Sequence, residues 1–420
     1  MVPAEAGDGR SALAATERRA HATVDAKLRR RIGRTWTSGI RPPGHVSCAG
    51  LNGMNGLRRV LVPAGILAGA TAAALLIAEG VLRLAHLAPT DGLATVNAGE
   101  FAAIPGIFAP RQDLIDRRDP HLPYHVTTNS LGYRGRDVPQ SKPPGELRIL
   151  FTGDSFTFGD FVDDDATLPA QLERRLKARC SDVRVVNAGL GDATIVEEAH
   201  LIERGLTVSP DLVILLFSEN DIDDLNRVPT WDRLADNRRA KSRFPFSLLY
   251  PVLRRTALWN LALKARAQER VDEHPVRIDW TAQGQEAFTP RLRDEYRQDL
   301  GRVRDSLKAR GIPLVFVAYP SHYAVLKTTM RGQMTWIAQT AHGLDLPVVN
   351  LLTPLAASGL GQALYLLPFD GHPSPRGYEV ASAYLADRLA SLEPLKHVCA
   401  AVAANPPPRS TPVKATPHRG

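Results

Sequence analysis

The sequence is poor in cysteine, and its few cysteines are widely spaced. Only three occur in 420 residues, Cys48, Cys180 and Cys399. No two of them form a CxxC pair, which excludes a cysteine-based zinc site. Their odd number and wide spacing also argue against a disulfide framework. Cysteine usage therefore does not restrict the compartment.

The chain also lacks an excess of positive charge outside its N-terminal region. The formal net charge is +8, but the first 59 residues hold eleven Lys and Arg against four Asp and Glu. The remaining residues are therefore close to neutral. Binding to nucleic acid requires a basic patch on the folded part, so no nucleic-acid partner is expected. With 44% hydrophobic and 23% charged residues, wholesale disorder and a multi-span membrane protein are excluded.

One long stretch near the N-terminus is apolar and lacks charge. Val60 to Ala78 is 19 residues without a charged side chain, roughly 28 Å as a helix, which is close to the thickness of a bilayer core. Arg58 and Arg59 precede it, so the Lys/Arg bias places the N-terminus in the cytoplasm and the rest outside. The alternatives are an Ala-rich core helix and a cleaved signal. No small-x-small cleavage site follows the run, which favours an uncleaved anchor over 58–86.

The segments on either side of the core differ from it in composition. Residues 1–57 are predicted to be a disordered basic tail, although Met54, followed by a short basic head and the apolar run, also fits a later start. Residues 87–146 are rich in Pro, Gly and Asp and are predicted to be a linker and lead-in. Residues 395–420 contain a proline-rich basic stretch and are predicted to be a disordered tail.

Residues 147–394 alternate between strand and helix patterns. Short apolar runs predict strands at 147–151, 183–187, 212–217, 313–318 and 347–350. Helical periodicity occupies 166–179, 291–310 and 374–392. This alternation predicts a parallel sheet covered by helices on both faces. An aromatic- and Arg-rich insertion at 225–290 interrupts the rhythm and is predicted to be mostly helical. It is a candidate lid or membrane-facing flap, or a surface elaboration.

Polar loops follow the predicted strands and should meet at the carboxyl edge of the sheet, where open parallel sheets bind ligands. Those loops contain Gly153-Asp154-Ser155, Asn187-Ala-Gly189-Leu-Gly191, Ser218-Glu219-Asn220-Asp221 and Asp370-Gly-His372-Pro. A serine is a weak nucleophile until a base takes its proton, and a histidine is suited to that task at neutral pH. An aspartate can orient the imidazole, while backbone N–H groups and an amide can stabilise an oxyanion.

These four blocks, in this order, resemble those of the SGNH, or GDSL-like, hydrolase family. The stretch Asn129-Ser-Leu-Gly-Tyr-Arg-Gly135 is similar to a lead-in found in membrane-anchored members. The resemblance implies a three-layer α/β/α fold with a central, mostly parallel sheet in flavodoxin-like order and no required cofactor or metal. It also implies the site residues, which are Ser155 as nucleophile, His372 as base, Asp370 as its orienter, Asp154 as support, and an oxyanion hole of the Ser155 N–H, Gly191 and Asn220.

Three departures from the family pattern are visible. The position two before Asn220 is Ser218 rather than glycine. The second block is one residue short, so Gly189 is an alternative to Gly191. Asp370 and His372 are only two residues apart, which makes the acid role of Asp370 less secure than the others.

The function expected from these observations is a membrane-anchored serine esterase outside the cytoplasmic membrane of a bacterium. Its substrate would be an acyl ester, with an envelope glycan or lipid suggested by the location. An O-acyltransferase or deacetylase acting on envelope glycan with the same residues is the alternative. A catalytically silent glycan-binding protein is a third possibility, which loss of the serine or histidine would have favoured.

Overall fold

The computed structural model describes residues 53–85, 92–96, 98–117, 119, 121–180, 182–225, 229–263, 290–397 and 399. The chain divides into two compact units, Met1–Thr71 and Ala72–Gly420. Most of the tails predicted for 1–57 and 395–420 lies outside the described residues, although 395–397 are helical.

Helix α1 (Gly53–Leu84) contains the predicted anchor. Its stretch Leu61–Leu84 has 24 residues, none of them buried, and is long and apolar enough to cross a bilayer. The helix continues beyond the uncharged run that predicted it, and Glu79 and Arg83 form an i,i+4 ion pair within its last turns.

The segment before the main sheet is folded and not merely a connection. It contains helix α2 (Ala98–Ala103) and an antiparallel hairpin of strands β1 (Asp113–Asp116) and β2 (Tyr124–Thr127). Apolar side chains of this lead-in are buried in a cluster with the domain that follows, among them Ile107, Phe108 and Val126. The lead-in therefore shares a hydrophobic core with the main domain.

The main sheet has five strands, all parallel. They are β3 (Leu147–Thr152), β4 (Val183–Asn187), β5 (Leu212–Phe217), β6 (Leu314–Ala318) and β7 (Val348–Asn350), in the order β4-β3-β5-β6-β7. This is the predicted flavodoxin-like order, in which the first two strands of the sheet exchange places. Strands β3 and β5 are buried along their whole length, which explains their unbroken apolar sequences.

Helices cover both faces of the sheet. In chain order they are α3 (Ser155–Phe158), α4 (Leu168–Lys177), α5 (Ile195–Gly205), α6 (Asn220–Asp224), α7 (Thr230–Ser242), α8 (Phe246–Leu253), α9 (Pro290–Ala309), α10 (His322–Leu326), α11 (Gly332–Gly343), α12 (Leu352–Ala357) and α13 (Pro375–Leu389). Alternate side chains of β5 enter opposite cores: Ile214 packs with α4 and α13, and Leu215 packs with α5, α9 and α11. The three-layer α/β/α prediction is confirmed.

The predicted insertion is helical where the structure describes it. It comprises α7, α8 and a further helical stretch at 257–263, and residues 264–289 lie outside the described part. Trp231 of α7 stacks on His200 at 4.9 Å between ring centroids and lies near Phe101 at 5.3 Å. These contacts fix the start of the insertion against α5 and the lead-in.

The expectation of no disulfide is wrong, because Cys180 and Cys399 are bonded to each other. Helices α4 and α13 pack side by side, with Arg175 Nε donating to Ser382 Oγ at 3.0 Å. The chain segments that follow these two helices therefore meet, although the two cysteines are 219 residues apart in sequence. Sequence spacing does not reveal such a tertiary contact.

Candidate active site

Ser155 is the first residue of α3, directly after the turn that ends β3. A side chain at Gly153 would place its Cβ 2.2 Å from Thr157 Oγ1 and 3.0 Å from the carbonyl oxygen of Leu216, so only glycine fits this turn. Asp154 caps the helix, since its Oδ1 accepts from the N–H of Phe156 at 2.9 Å. The sequence thus forces the chain to turn sharply and leaves Ser155 at the carboxyl edge of the sheet.

The structure brings together the three residues predicted as nucleophile, base and acid. His372 Nε2 lies 2.8 Å from Ser155 Oγ, and His372 Nδ1 is hydrogen-bonded to Asp370 Oδ1. The same Asp370 oxygen accepts the backbone N–H of His372 at 2.7 Å. With Nδ1–H donated to Asp370, Nε2 is the acceptor that faces the serine hydroxyl.

The surroundings of His372 favour its protonated form. Burial lowers the pKa of the imidazole, but the hydrogen bond to Asp370 and the charges of Asp370, Asp160 and Asp154 outweigh burial, so the pKa is raised. Burial raises the pKa of Asp370, but its hydrogen bonds to His372 and the charge of His372 outweigh burial, so the pKa is lowered overall. The two opposite shifts describe a carboxylate that stabilises an imidazolium.

Two backbone N–H groups, those of Ser155 and Gly191, are candidates for an oxyanion hole. Neither has a hydrogen-bond partner among the described residues. The N–H of Gly189 instead donates to Asn187 Oδ1 at 3.0 Å, and a Cβ there would lie 2.1 Å from the nitrogen of Phe158. Gly189 therefore serves close packing against α3, while Gly191 has a donor to offer.

The Asn220 side chain is bonded both within its own helix and to groups beside Ser155. Its Nδ2 donates to Asp224 Oδ2 at 3.2 Å, and its Oδ1 accepts from the hydroxyl of Ser218. Ser218 Oγ is also 2.7 Å from Asp154 Oδ2. The serine that replaces the expected glycine thus links the support residue Asp154 to the amide, a role that the sequence reasoning did not assign.

A group of buried carboxyl groups lies close to Ser155. Burial raises the pKa of Asp154, Glu198 and Asp221, and their mutual repulsion raises the last two further. Neither oxygen of Glu198 has a hydrogen-bond partner among the described residues. Within that same part of the chain, no His, Cys, Asp and Glu side chains are grouped so as to hold a metal ion.

Arg134 holds the far end of the nucleophile helix, which the sequence reasoning also missed. Its guanidinium is buried and donates to the carbonyl oxygens of Phe158 at 2.8 Å, Gly159 at 2.6 Å and Val162 at 2.6 Å. Its Nε pairs with Asp164 Oδ1 at 2.8 Å. The only sequence signal was that Arg134 lies in the lead-in block 129–135.

A cleft of about 270 Å³ opens beside Gly191. Its apolar lining includes Phe108, Phe158 and Leu190, and its polar lining comes from three carboxylates. The carboxylates are those of Asp116, Asp160 and Asp192. The cleft therefore offers a substrate both an apolar wall and several hydrogen-bond acceptors.

Comparison with known proteins shows the family of the chain. The GDSL-like lipase/acylhydrolase family matches residues 151–380, more than half of the chain. The chain belongs to this family and is a hydrolase acting on ester bonds. No curated protein sequence matches the chain.

Solved structures with similar folds include other members of this group. A lipase/acylhydrolase from Enterococcus faecalis is 15% identical, with 58% of this chain and 96% of that chain covered and a TM-score of 0.37. A member of the lipolytic G-D-S-L family from Veillonella parvula DSM 2008 is 13% identical, with coverage of 59% and 100% and a TM-score of 0.35. The acetyl xylan esterase AlAXEase is 15% identical, with coverage of 58% and 98% and a TM-score of 0.36.

Proposed function

We propose that the protein is a membrane-anchored serine esterase that cleaves an acyl ester through an acyl-enzyme, with Ser155, His372 and Asp370 as its catalytic triad. The observation that carries the proposal is the continuous chain of hydrogen bonds from Ser155 Oγ through His372 to Asp370. Nucleophile, base and orienting acid within hydrogen-bond reach are the geometry that activates a serine.

In the first half of the reaction, Ser155 Oγ attacks the ester carbonyl carbon while His372 Nε2 takes the hydroxyl proton. The negative charge that develops on the carbonyl oxygen is stabilised by the N–H groups of Ser155 and Gly191. Asn220 adds a third donor if its amide turns from Asp224 towards the oxyanion. His372 then gives its proton to the leaving alkoxide, which departs as the alcohol, and the acyl group remains on Ser155.

In the second half, a water molecule gives a proton to His372 as its oxygen attacks the acyl carbon. Collapse of the intermediate breaks the bond to Ser155 Oγ, which recovers the proton from His372. The products are the free acid and the original enzyme. Asp370 stays ionised throughout, in keeping with its lowered pKa.

A bacterial membrane location, with the N-terminus inside and the catalytic domain outside, is part of the proposal. Helix α1 is long and apolar enough to span a membrane, and Arg58 and Arg59 lie at its beginning. The disulfide between Cys180 and Cys399 supports an oxidising compartment for the domain.

Transfer of the acyl group to a sugar hydroxyl is the second candidate. The carboxylates of Asp116, Asp160 and Asp192 line the cleft beside Gly191, and carboxylate oxygens accept hydrogen bonds from sugar hydroxyl groups. Those of Asp116 and Asp160 also accept from the Tyr124 hydroxyl. A sugar held there could replace water in the second half-reaction, or could carry the ester that is cleaved. The same residues would catalyse either outcome.

A single experiment tests the mechanism and separates the two candidates. The purified full chain is incubated with an aryl acetate, with and without a xylo-oligosaccharide acceptor, and free acetate and acetylated sugar are measured. Wild type should release acetate, whereas Ser155→Ala should not, and a serine-directed phosphonate should label Ser155 alone. Ser306→Ala, which removes a hydroxyl bonded to Glu203 on the surface, should match wild type. Full activity of Ser155→Ala, or labelling elsewhere, would contradict the assignment.

A further inference from the structure

Exposed apolar side chains are concentrated in the insertion. Outside α1, eight large apolar residues are exposed among the described residues, and five of them form what we call the apolar patch. Its members are Phe244, Leu248, Leu249, Val252 and Leu263. Phe244 is 81% exposed and Leu248 is 69% exposed. A cluster of this kind on a water-soluble surface marks an interaction site.

Within the insertion, the sequence that carries the apolar patch contains charge of one sign only. Between 237 and 263 the sequence contains six Lys and Arg and no Asp or Glu. They are Arg238, Arg239, Lys241, Arg243, Arg254 and Arg255. A helix with an apolar face flanked by basic residues is typical of segments that lie in the interface of a membrane containing anionic lipids.

Hydrogen bonds attach this part of the insertion to the end of the membrane-spanning stretch. Glu79 accepts the N–H groups of Ala257 at 2.8 Å and Leu258 at 3.0 Å, and so caps the helical stretch 257–263. Arg83 Nη2 donates to the carbonyl oxygen of Arg255 at 2.6 Å. Both Glu79 and Arg83 belong to the last turns of Leu61–Leu84, so the apolar patch is fixed beside the point where that stretch ends.

A cavity beside the apolar patch adjoins the cleft at Gly191. It has a volume of about 580 Å³ and is lined by Tyr250 and Leu263 of the insertion and by Gly92 and Leu93 of the lead-in. Gly92 and Leu93 also line the cleft that contains Gly191. The two cavities therefore share part of their lining.

We propose that the apolar patch inserts into the outer face of the bilayer, as a second membrane contact beside the end of the spanning stretch, and that it holds the adjoining cavity at the membrane surface. This inference rests on the proposed membrane anchoring. The occupant of the patch is lipid, because the patch lies next to exposed apolar side chains at the end of the spanning stretch and basic residues flank it in sequence.

Depth-dependent fluorescence quenching tests the inference on the full chain. In a Cys48→Ser background with the Cys180–Cys399 disulfide intact, an environment-sensitive fluorophore is attached to a cysteine at Leu76, Leu248 or Leu326. The three proteins are reconstituted in vesicles of phosphatidylcholine and phosphatidylglycerol that carry a doxyl group near the headgroup or at the chain end. Leu326 is the matched control, because it is 40% exposed but lies outside the insertion.

The expected result is strongest quenching of the Leu76 probe by chain-end doxyl, strongest quenching of the Leu248 probe by headgroup-proximal doxyl, and none at Leu326. Quenching at Leu248 no greater than at Leu326, with Leu76 quenched, would overturn the membrane contact and leave the anchor intact. Protection of the Leu248 probe from aqueous iodide without doxyl quenching would also overturn it and would indicate a protein partner. An unquenched Leu76 probe would overturn the anchor itself. Turnover of a soluble aryl acetate by each labelled protein verifies folding and reports on the hydrolase separately.

Discussion

The short spacing between Asp370 and His372 has a local explanation in the structure. One oxygen of Asp370 accepts both the backbone N–H and the Nδ1–H of His372. The carboxylate therefore fixes the turn and the imidazole at the same time. This double use makes the two-residue spacing sufficient for orientation, the point on which the sequence left the acid role least secure.

We predict that the three triad substitutions have unequal effects. Ser155 and His372 take part in bond making, whereas Asp370 orients and stabilises the imidazolium. In the serine protease subtilisin, removal of the serine or the histidine lowers the turnover rate by a factor of about 2 × 10⁶, and removal of the aspartate lowers it by a factor of about 3 × 10⁴. Asp370→Ala should therefore retain roughly tenfold or more activity above Ser155→Ala, measured as aryl acetate turnover. Activity of Asp370→Ala equal to wild type would show that another group orients His372.

The pH profile of the same variant should shift in a defined direction. Catalysis needs neutral His372, so activity rises with pH through the pKa of His372, which lies above its ordinary value in the native site. Asp370→Ala removes the main group that raises this pKa and leaves the burial that lowers it. The acid limb of kcat/KM against pH should therefore move to lower pH. A shift to higher pH would contradict the assigned electrostatics.

Whether the role of a site residue could be predicted from the sequence depends on whether that role follows from its position in the chain or from tertiary contacts. Ser155, His372 and Asp370 follow strand ends or precede a helix, and a parallel sheet gathers such loops at one edge, so their convergence could be expected from sequence. The roles of Ser218 and Arg134 could not, because each depends on which atoms lie opposite it in the folded chain. The sequence already favoured Gly191 over Gly189, and the donor and packing contacts of both glycines add a physical reason for that choice.

At the scale of elements, the nucleophile helix depends on a residue far from it in sequence. Helix α3 has only four residues, too few to be stable alone. Arg134 satisfies the carbonyl groups at its C-terminal end, and Asp154 caps its beginning. The lead-in therefore positions the nucleophile, although it contributes no group to the hydrogen-bonded triad.

Replacement of this arginine should weaken both the fold and the reaction. Arg134→Met leaves buried carbonyl groups and Asp164 without their donor, at a cost of about 3–5 kcal/mol of unfolding free energy. At temperatures where the variant is folded, kcat should fall while KM changes little, because α3 loses its position. The exposed Arg136 of the same loop is the matched control, and Arg136→Met should leave both unchanged. Equal effects of the two substitutions, measured by denaturant unfolding and steady-state kinetics, would contradict the positioning role.

At the scale of the whole molecule, alternation of strand and helix patterns was enough to predict the parallel sheet and its covering helices, and the strand order followed from the resemblance to the SGNH family. The disulfide was not predictable, because it joins segments that meet only after α4 and α13 have packed on the same face. The structure of the lead-in was also missed, since its strands β1 and β2 have four residues each and little apolar periodicity. Long-range contacts, not local pattern, decide both features.

The disulfide makes the proposed topology testable on protein extracted from cells. If the catalytic domain lies outside the cytoplasmic membrane, Cys180 and Cys399 are oxidised there, and a bulky maleimide added to denatured, unreduced protein should modify Cys48 alone. After reduction all three cysteines should react. Cys180→Ser should then expose Cys399 to the reagent and lower the stability of the domain by about 2–4 kcal/mol, because the closed loop no longer restricts the unfolded chain. Modification of all three wild-type cysteines without reduction would place the domain in a reducing compartment, and the outward orientation would have to be withdrawn even if the esterase activity stood.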